Sequence, residues 1–178
     1  MPKNIYKRNQ GNMASYKKFL IQQQSYNGTS YTNVGSVVDT YATYGIVCQE
    51  FPFKYMPEPK EPAKRDWYDE NGEDVYIPTD GLKLQAYDVE AKFLYAGKVN
   101  EMHTKIKGFI TFLYGRNSGG SSMMAIYDEY TKIGKRGVYV AEASEDIYFY
   151  NEKAPEGIAT FKVKFRVTDP VTDITLTI

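Results

Sequence analysis

Residues 161–178 read FKVKFRVTDPVTDITLTI, and two period-two patterns meet in them. Phe161, Val163, Phe165 and Val167 alternate with Lys162, Lys164 and Arg166. Successive side chains of a strand point to opposite faces, so this is a strand with one buried face and one wet face. Asp169-Pro170 ends it, because proline has no N–H to give to a ladder. A second alternation follows, with Ile174, Leu176 and Ile178 against Asp173, Thr175 and Thr177. An amphipathic strand of that kind pairs on an edge, in its own molecule or in a neighbour's.

Working outward, MMAIYDEYT, GVYVAEA and DIYFYN read as three further strands, preceded by the flexible loop RNSGGSS. Before that loop lies NEMHTKIKGFITFLYG, the one clear helix, about residues 100–114. Met102, Ile106, Phe109, Ile110 and Leu113 form a single apolar stripe, Asn100 is placed to cap the start and Gly115 to close the end. The segment LKLQAYDVEAKFLYA, residues 82–96, reads as a long strand with a phase slip. Leu82, Leu84 and Ala86 hold one parity and Val89, Ala91, Phe93 and Tyr95 the other, so a bulge near Tyr87–Asp88 is expected.

DWYDENGEDVY, residues 66–76, centres on Asn71-Gly72, the dipeptide that a type I′ hairpin turn requires. Its flanks carry Asp69, Glu70, Glu73 and Asp74, like charges expected to face one another and so to stay exposed or to meet cations. Prolines at 52, 57, 59 and 62 make the preceding segment stiff and extended. Val34 to Gln49 reads as one or two strands, and residues 1–33, polar except at Phe19-Leu20-Ile21, read as an extended arm. The expectation is a mostly β, α+β chain: an N-terminal arm (1–45), then a single module (46–178) in which a two-sheet β-sandwich or barrel packs one helix.

The 178 residues carry 22 basic and 22 acidic side chains, so no global field draws the chain to DNA or to a membrane. The balance hides an asymmetry. Lys3, Lys7, Arg8, Lys17 and Lys18 stand in residues 1–20 without an acid, while residues 66–90 carry eight acids and only Lys83. Such opposite segments suit contact between copies. Seventeen tyrosines point the same way, since tyrosine offers large, stiff, amphipathic area at interfaces. No N-terminal apolar stretch is long enough to span a bilayer, and one cysteine makes no internal disulfide.

Catalytic and metal motifs fare poorly. His103 is the only histidine and stands one residue off the helix stripe, which suits a surface side chain. One histidine and one cysteine (Cys48) cannot supply a zinc site of the usual kind. Setting Gly72 as the turn glycine of a calcium loop places Trp67 and Pro78 where ligands must be. GKRG and GRNSGG lack the spacing of a phosphate loop. Neither enzymatic chemistry nor a cofactor is expected.

PAKRDWYDENGEDVYIP, a long strand, one helix, IYDEYTKIGKRGVYV and then GIATFKVKFRVTDPVT together resemble the N-terminal module of distal tail proteins of long-tailed phages, over about residues 46–172. The resemblance implies the sandwich-plus-helix fold shared with tail-tube and tail-terminator proteins. It implies subunits joined into a six-fold ring around a channel that passes double-stranded DNA, beside other tail proteins, in a virion assembled in the host cytoplasm. A tube or terminator subunit is an alternative within that fold. A monomeric glycan-binding module using Trp67, Tyr68 and Tyr76 is the alternative of another class. For a ring subunit, the expected assembly residues are Lys3, Lys7, Arg8, Lys17, Lys18, Asp69, Glu70, Glu73, Asp74, Ile174, Leu176 and Ile178.

Overall fold

A computed structural model of the chain describes residues 17–143, 148–150 and 156–178. The strands are β1 (Phe19–Tyr26), β2 (Tyr31–Asp39), β3 (Ile46–Glu50), β4 (Ala63–Arg65), β5 (Asp74–Tyr76), β6 (Tyr87–Lys98), β7 (Met123–Asp128), β8 (Ile133–Ala143), β9 (Tyr148–Tyr150) and β10 (Glu156–Val167). Two helices, α1 (Thr40–Tyr44) and α2 (Val99–Leu113), interrupt them. The fold is mostly β, with a large antiparallel sheet in the order β2-β1-β7-β8-β10-β6-β3 and a small ribbon of β4 and β5. Strand β9 pairs with β10 off that path.

The large sheet cannot be flat. From β1 to β6 is four strand steps, about 19 Å at ~4.8 Å each. Yet the Phe19 ring of β1 lies 5.9 Å from the Phe93 ring of β6. The sheet therefore curls on itself, and the two layers of the expected sandwich are two limbs of one sheet. The alternation of β10 is realised: Phe161, Val163, Phe165 and Val167 are all buried inside the curl. Its twelve-residue ladder with β6 runs without a register shift from Glu156↔Lys98 to Val167↔Tyr87. Helix α2 fills the curl, with Phe109 fully buried and its ring 5.2 Å from Phe93 and 6.2 Å from Phe161. Each such side chain contributes roughly 1.5–3 kcal/mol on burial.

Several expectations need correction. From Phe19 onward the N-terminal arm is not an arm: β1 lies between β2 and β7, and Phe19, Leu20 and Ile21 are core residues. The polar run behind them is buried too, and Gln23 Nε2 donates to the Phe112 carbonyl at 2.7 Å, at the end of α2, where that carbonyl also accepts the Gly115 N–H. The phase slip at Tyr87 is an element boundary rather than a bulge. Residues 82–86 precede β6, and Leu84 bridges Pro59 while Tyr87 to Tyr95 keep strict alternation. Helix α2 starts one residue earlier than expected, with Lys98 at the cap and no side-chain capping bond, so Asn100 sits inside the first turn. Gly115 does follow the end, at φ +66, where a Cβ would lie 2.3 Å from the Ser121 carbonyl carbon.

The last correction concerns the closing segment. Ile174 to Ile178 is not a strand. After Asp169-Pro170 the backbone returns to β8 through the Lys135↔Asp173 bridge and the Ile174 N–H to Gly134 carbonyl bond of 3.1 Å. Beyond it the alternation persists as half-buried Ile174 and Leu176 against exposed Thr175 and Thr177, and Ile178 is exposed.

Candidate assembly surface

The registers bring Lys17, Lys18 and the closing segment, a part of the expected interface residues, to one end of the sheet. Phe19 of β1 pairs with Asp128 of β7, and Asp128 with Ile133 of β8. Val138 of β8 pairs with Val167 of β10, and Val167 with Tyr87 at the start of β6. Lys17 and Lys18, the β7–β8 turn, the closing segment and the root of the 58–85 ribbon therefore share this end. Lys3, Lys7 and Arg8 lie outside the described residues.

Two ion-pair systems fasten the closing segment there. The Lys135 side chain is almost buried, and its ammonium donates to Asp173 Oδ1 at 2.6 Å and to the Pro170 carbonyl at 3.1 Å. Arg136 donates from Nε to Asp169 Oδ2 at 2.7 Å and from an Nη to Thr172 Oγ1 at 3.1 Å. Its guanidinium also lies 5.2 Å from the centre of the Tyr31 ring. Partial burial works against the Asp169 carboxylate, but Arg136 and the Thr172 N–H and hydroxyl outweigh it and hold its pKa below the usual value. In the sequence, GKRG stands out only as a failed phosphate loop. The signal left unread is the spacing: adjacent cations on β8 meet Asp169 and Asp173 four residues apart.

At the same end Lys17, Lys18 and Lys132 surround Glu129. The Lys18 N–H donates to Glu129 Oε2 at 2.8 Å, and that bond, then the three ammonium groups, lower the Glu129 pKa. Lys132 occupies φ +62, a left-handed conformation that favours glycine or asparagine, at the close of a turn capped by Asp128. Tyr130 stands between them, 77% exposed.

The acidic hairpin forms, with altered geometry. Its strands are β4 and β5, and Asp74 pairs with Arg65 in register, so the expected facing of like charges does not occur. Asp69, Glu70 and Glu73 lie in the loop between the strands, with Gly72 at φ +91. Below it the two chains stay together through the Lys60 N–H to Lys83 carbonyl bond of 2.6 Å and the Gln85 N–H to Glu58 carbonyl bond of 2.8 Å. This makes a two-chain ribbon in which residues 58–65 run against 74–85, about 26 Å long at ~3.3 Å per residue along its eight-residue side. Every residue of β4 and β5 is exposed. Tyr68 is 99% exposed and Tyr76 70% exposed, and Val75, Ile77 and Leu82 stand out beside them. Trp67 is partly covered, its ring 4.9 Å from the Arg65 guanidinium. Among the described residues the ion pairs of the ribbon stay within it, Lys64 with Glu61 and Glu73, and Lys83 with Asp80.

The outer face between β6 and β10 is a charge ladder. Lys162 meets Glu90 at 2.5 Å, and Lys164 and Arg166 meet Asp88 at 3.4 and 2.8 Å. Chemistry-bearing groups are elsewhere sparse. His103 is exposed on α2. Burial first, then the charge of Asp128, pushes the Cys48 thiol above its usual range and keeps it protonated. Among the described residues no group of three or more His, Cys, Asp or Glu is placed to hold a metal ion, and no helix is long and apolar enough to cross a membrane. No known protein family matches the chain, and no curated protein matches it.

Proposed function

We propose that this chain is a structural subunit that works by self-assembly, a ring-forming component of a phage tail of the distal-tail or adaptor kind, surrounding a channel that passes DNA. The observation that carries the reading is the projecting ribbon. A soluble monomer gains nothing from holding Tyr68, Tyr76 and Ile77 in water, and contiguous exposed apolar surface marks contact sites. The outward edges of β2 and β3, terminal strands of the large sheet, support it as places where a second sheet can add. The charge ladder on β6 and β10 suits a face that stays wet after assembly. A heterologous contact closes into a ring when its rotation permits.

Light scattering coupled to size exclusion tests the reading, followed by negative-stain imaging. The expected result is a closed oligomer imaged as an annulus. A strictly monomeric particle at high concentration, with the full chain present, would overturn it.

A further inference from the structure

Resting on that reading, we propose a specific contact between copies: the tip of the 58–85 ribbon seats on the Lys17, Lys18 and Lys132 patch of an adjacent copy. Asp69 and Glu70 supply the negative charge, and Tyr68, 99% exposed, is the apolar anchor.

Three observations lead here. Length is the first. In a ring of side-by-side copies corresponding ends face one way, and an arm of about 26 Å crosses roughly five strand widths at ~4.8 Å each, enough to leave its own sheet and reach the same end of the next one. Charge is the second. The loop carries Asp66, Asp69, Glu70 and Glu73, with Lys64 engaged by Glu61 and Glu73. The patch carries three lysines around Glu129, while the Asp128 carboxylate is taken up by the Tyr130 and Thr131 N–H groups and the Thr131 hydroxyl. The sequence adds Lys3, Lys7 and Arg8 on the N-terminal side of Lys17, with no acid among them. Aromatic matching is the third. Tyr68 on the tip and Tyr130 in the patch are both exposed, and the Tyr68 ring face is open to a lysine ammonium of the patch. Complementary charge of this kind sets orientation and register more than raw affinity.

The test is a charge swap on the full chain, read by sedimentation velocity at fixed ionic strength. Asp69→Lys with Glu70→Lys should weaken assembly by at least about tenfold, and so should Lys18→Glu with Lys132→Glu, because opposed like charges repel. An equimolar mixture of the two double variants should assemble about as well as the wild-type protein through the swapped contact. All four side chains are exposed, and a far-ultraviolet dichroism spectrum matching wild type confirms that each variant folds. If both double variants assemble normally, the contact is wrong while self-assembly stands. If the mixture fails to recover, the contact is also wrong. If the wild-type chain is itself monomeric, both readings fail together.

Discussion

Lys135 sits 5% exposed on β8 with its ammonium held by a carboxylate that is itself largely in water. A buried cation is expensive unless paired, so the cost of losing Asp173 falls on Lys135 more than on the lost bond. Asp173→Ala should therefore destabilise the protein by about 2 kcal/mol in urea denaturation, while Lys135→Met, similar in volume and uncharged, should cost less than that. A larger loss for Lys135→Met would show that the pair itself, not the unpaired charge, matters. Asp169 and Asp88 supply the acid side of the pH profile. Bonds and charges from Arg166 and Lys164 lower Asp88, and Arg136 and Thr172 outweigh burial to lower Asp169. Each folded pKa lies below the unfolded one, so the unfolded chain binds more protons in acid. Their stabilisation is complete above about pH 4, near the unfolded carboxylate value, and disappears as pH falls through the folded values. Thermal melts from pH 6 to pH 2 should show this decline, and Arg136→Gln should flatten the part due to Asp169.

At the level of elements, α2 is the plug of the curled sheet. Phe109 contacts Tyr44, Phe93 and Phe161, which belong to three different segments, so Phe109→Ala should cost about 3–5 kcal/mol by equilibrium unfolding. The closing segment divides at Asp173. Removing residues 175–178 takes away half-buried and exposed side chains only, and should leave the melting temperature within a few degrees of wild type by calorimetry. Removing 171–178 also strips Lys135 of Asp173 and Arg136 of Thr172, and should lower it well beyond that.

On the scale of the molecule, the ribbon is separable from the core. None of residues 60–83 belongs to the buried cluster that joins β1, β6, β10 and α2. Replacing them with a short turn should preserve the cooperative unfolding of the sheet while abolishing assembly, with calorimetry and light scattering as the two readouts. Loss of the unfolding transition would mean that the ribbon is part of the fold after all.

Local periodicity determined a good deal. The alternation of β10, the apolar stripe of α2 and the stop at Pro170 are set by neighbours a few residues apart, which is the range over which a sequence pattern speaks. The type I′ turn expected at Asn71-Gly72 is not formed, since Gly72 alone of the two has positive φ and an eight-residue loop joins β4 to β5. Tertiary structure decided what lies beyond that range. Gln22, Gln23 and Gln24 look like solvated chain, yet they are buried, with their amides bonded to groups distant in the chain, as Gln23 is to the Phe112 carbonyl. Lys135 and Arg136 look like a wet turn until the chain returns after β10 to bring Asp169 and Asp173 beside them. The gathering of Lys17, Lys132, the closing segment and the ribbon root at one end follows from strand order, and strand order is a balance of long-range burial that composition and spacing do not encode.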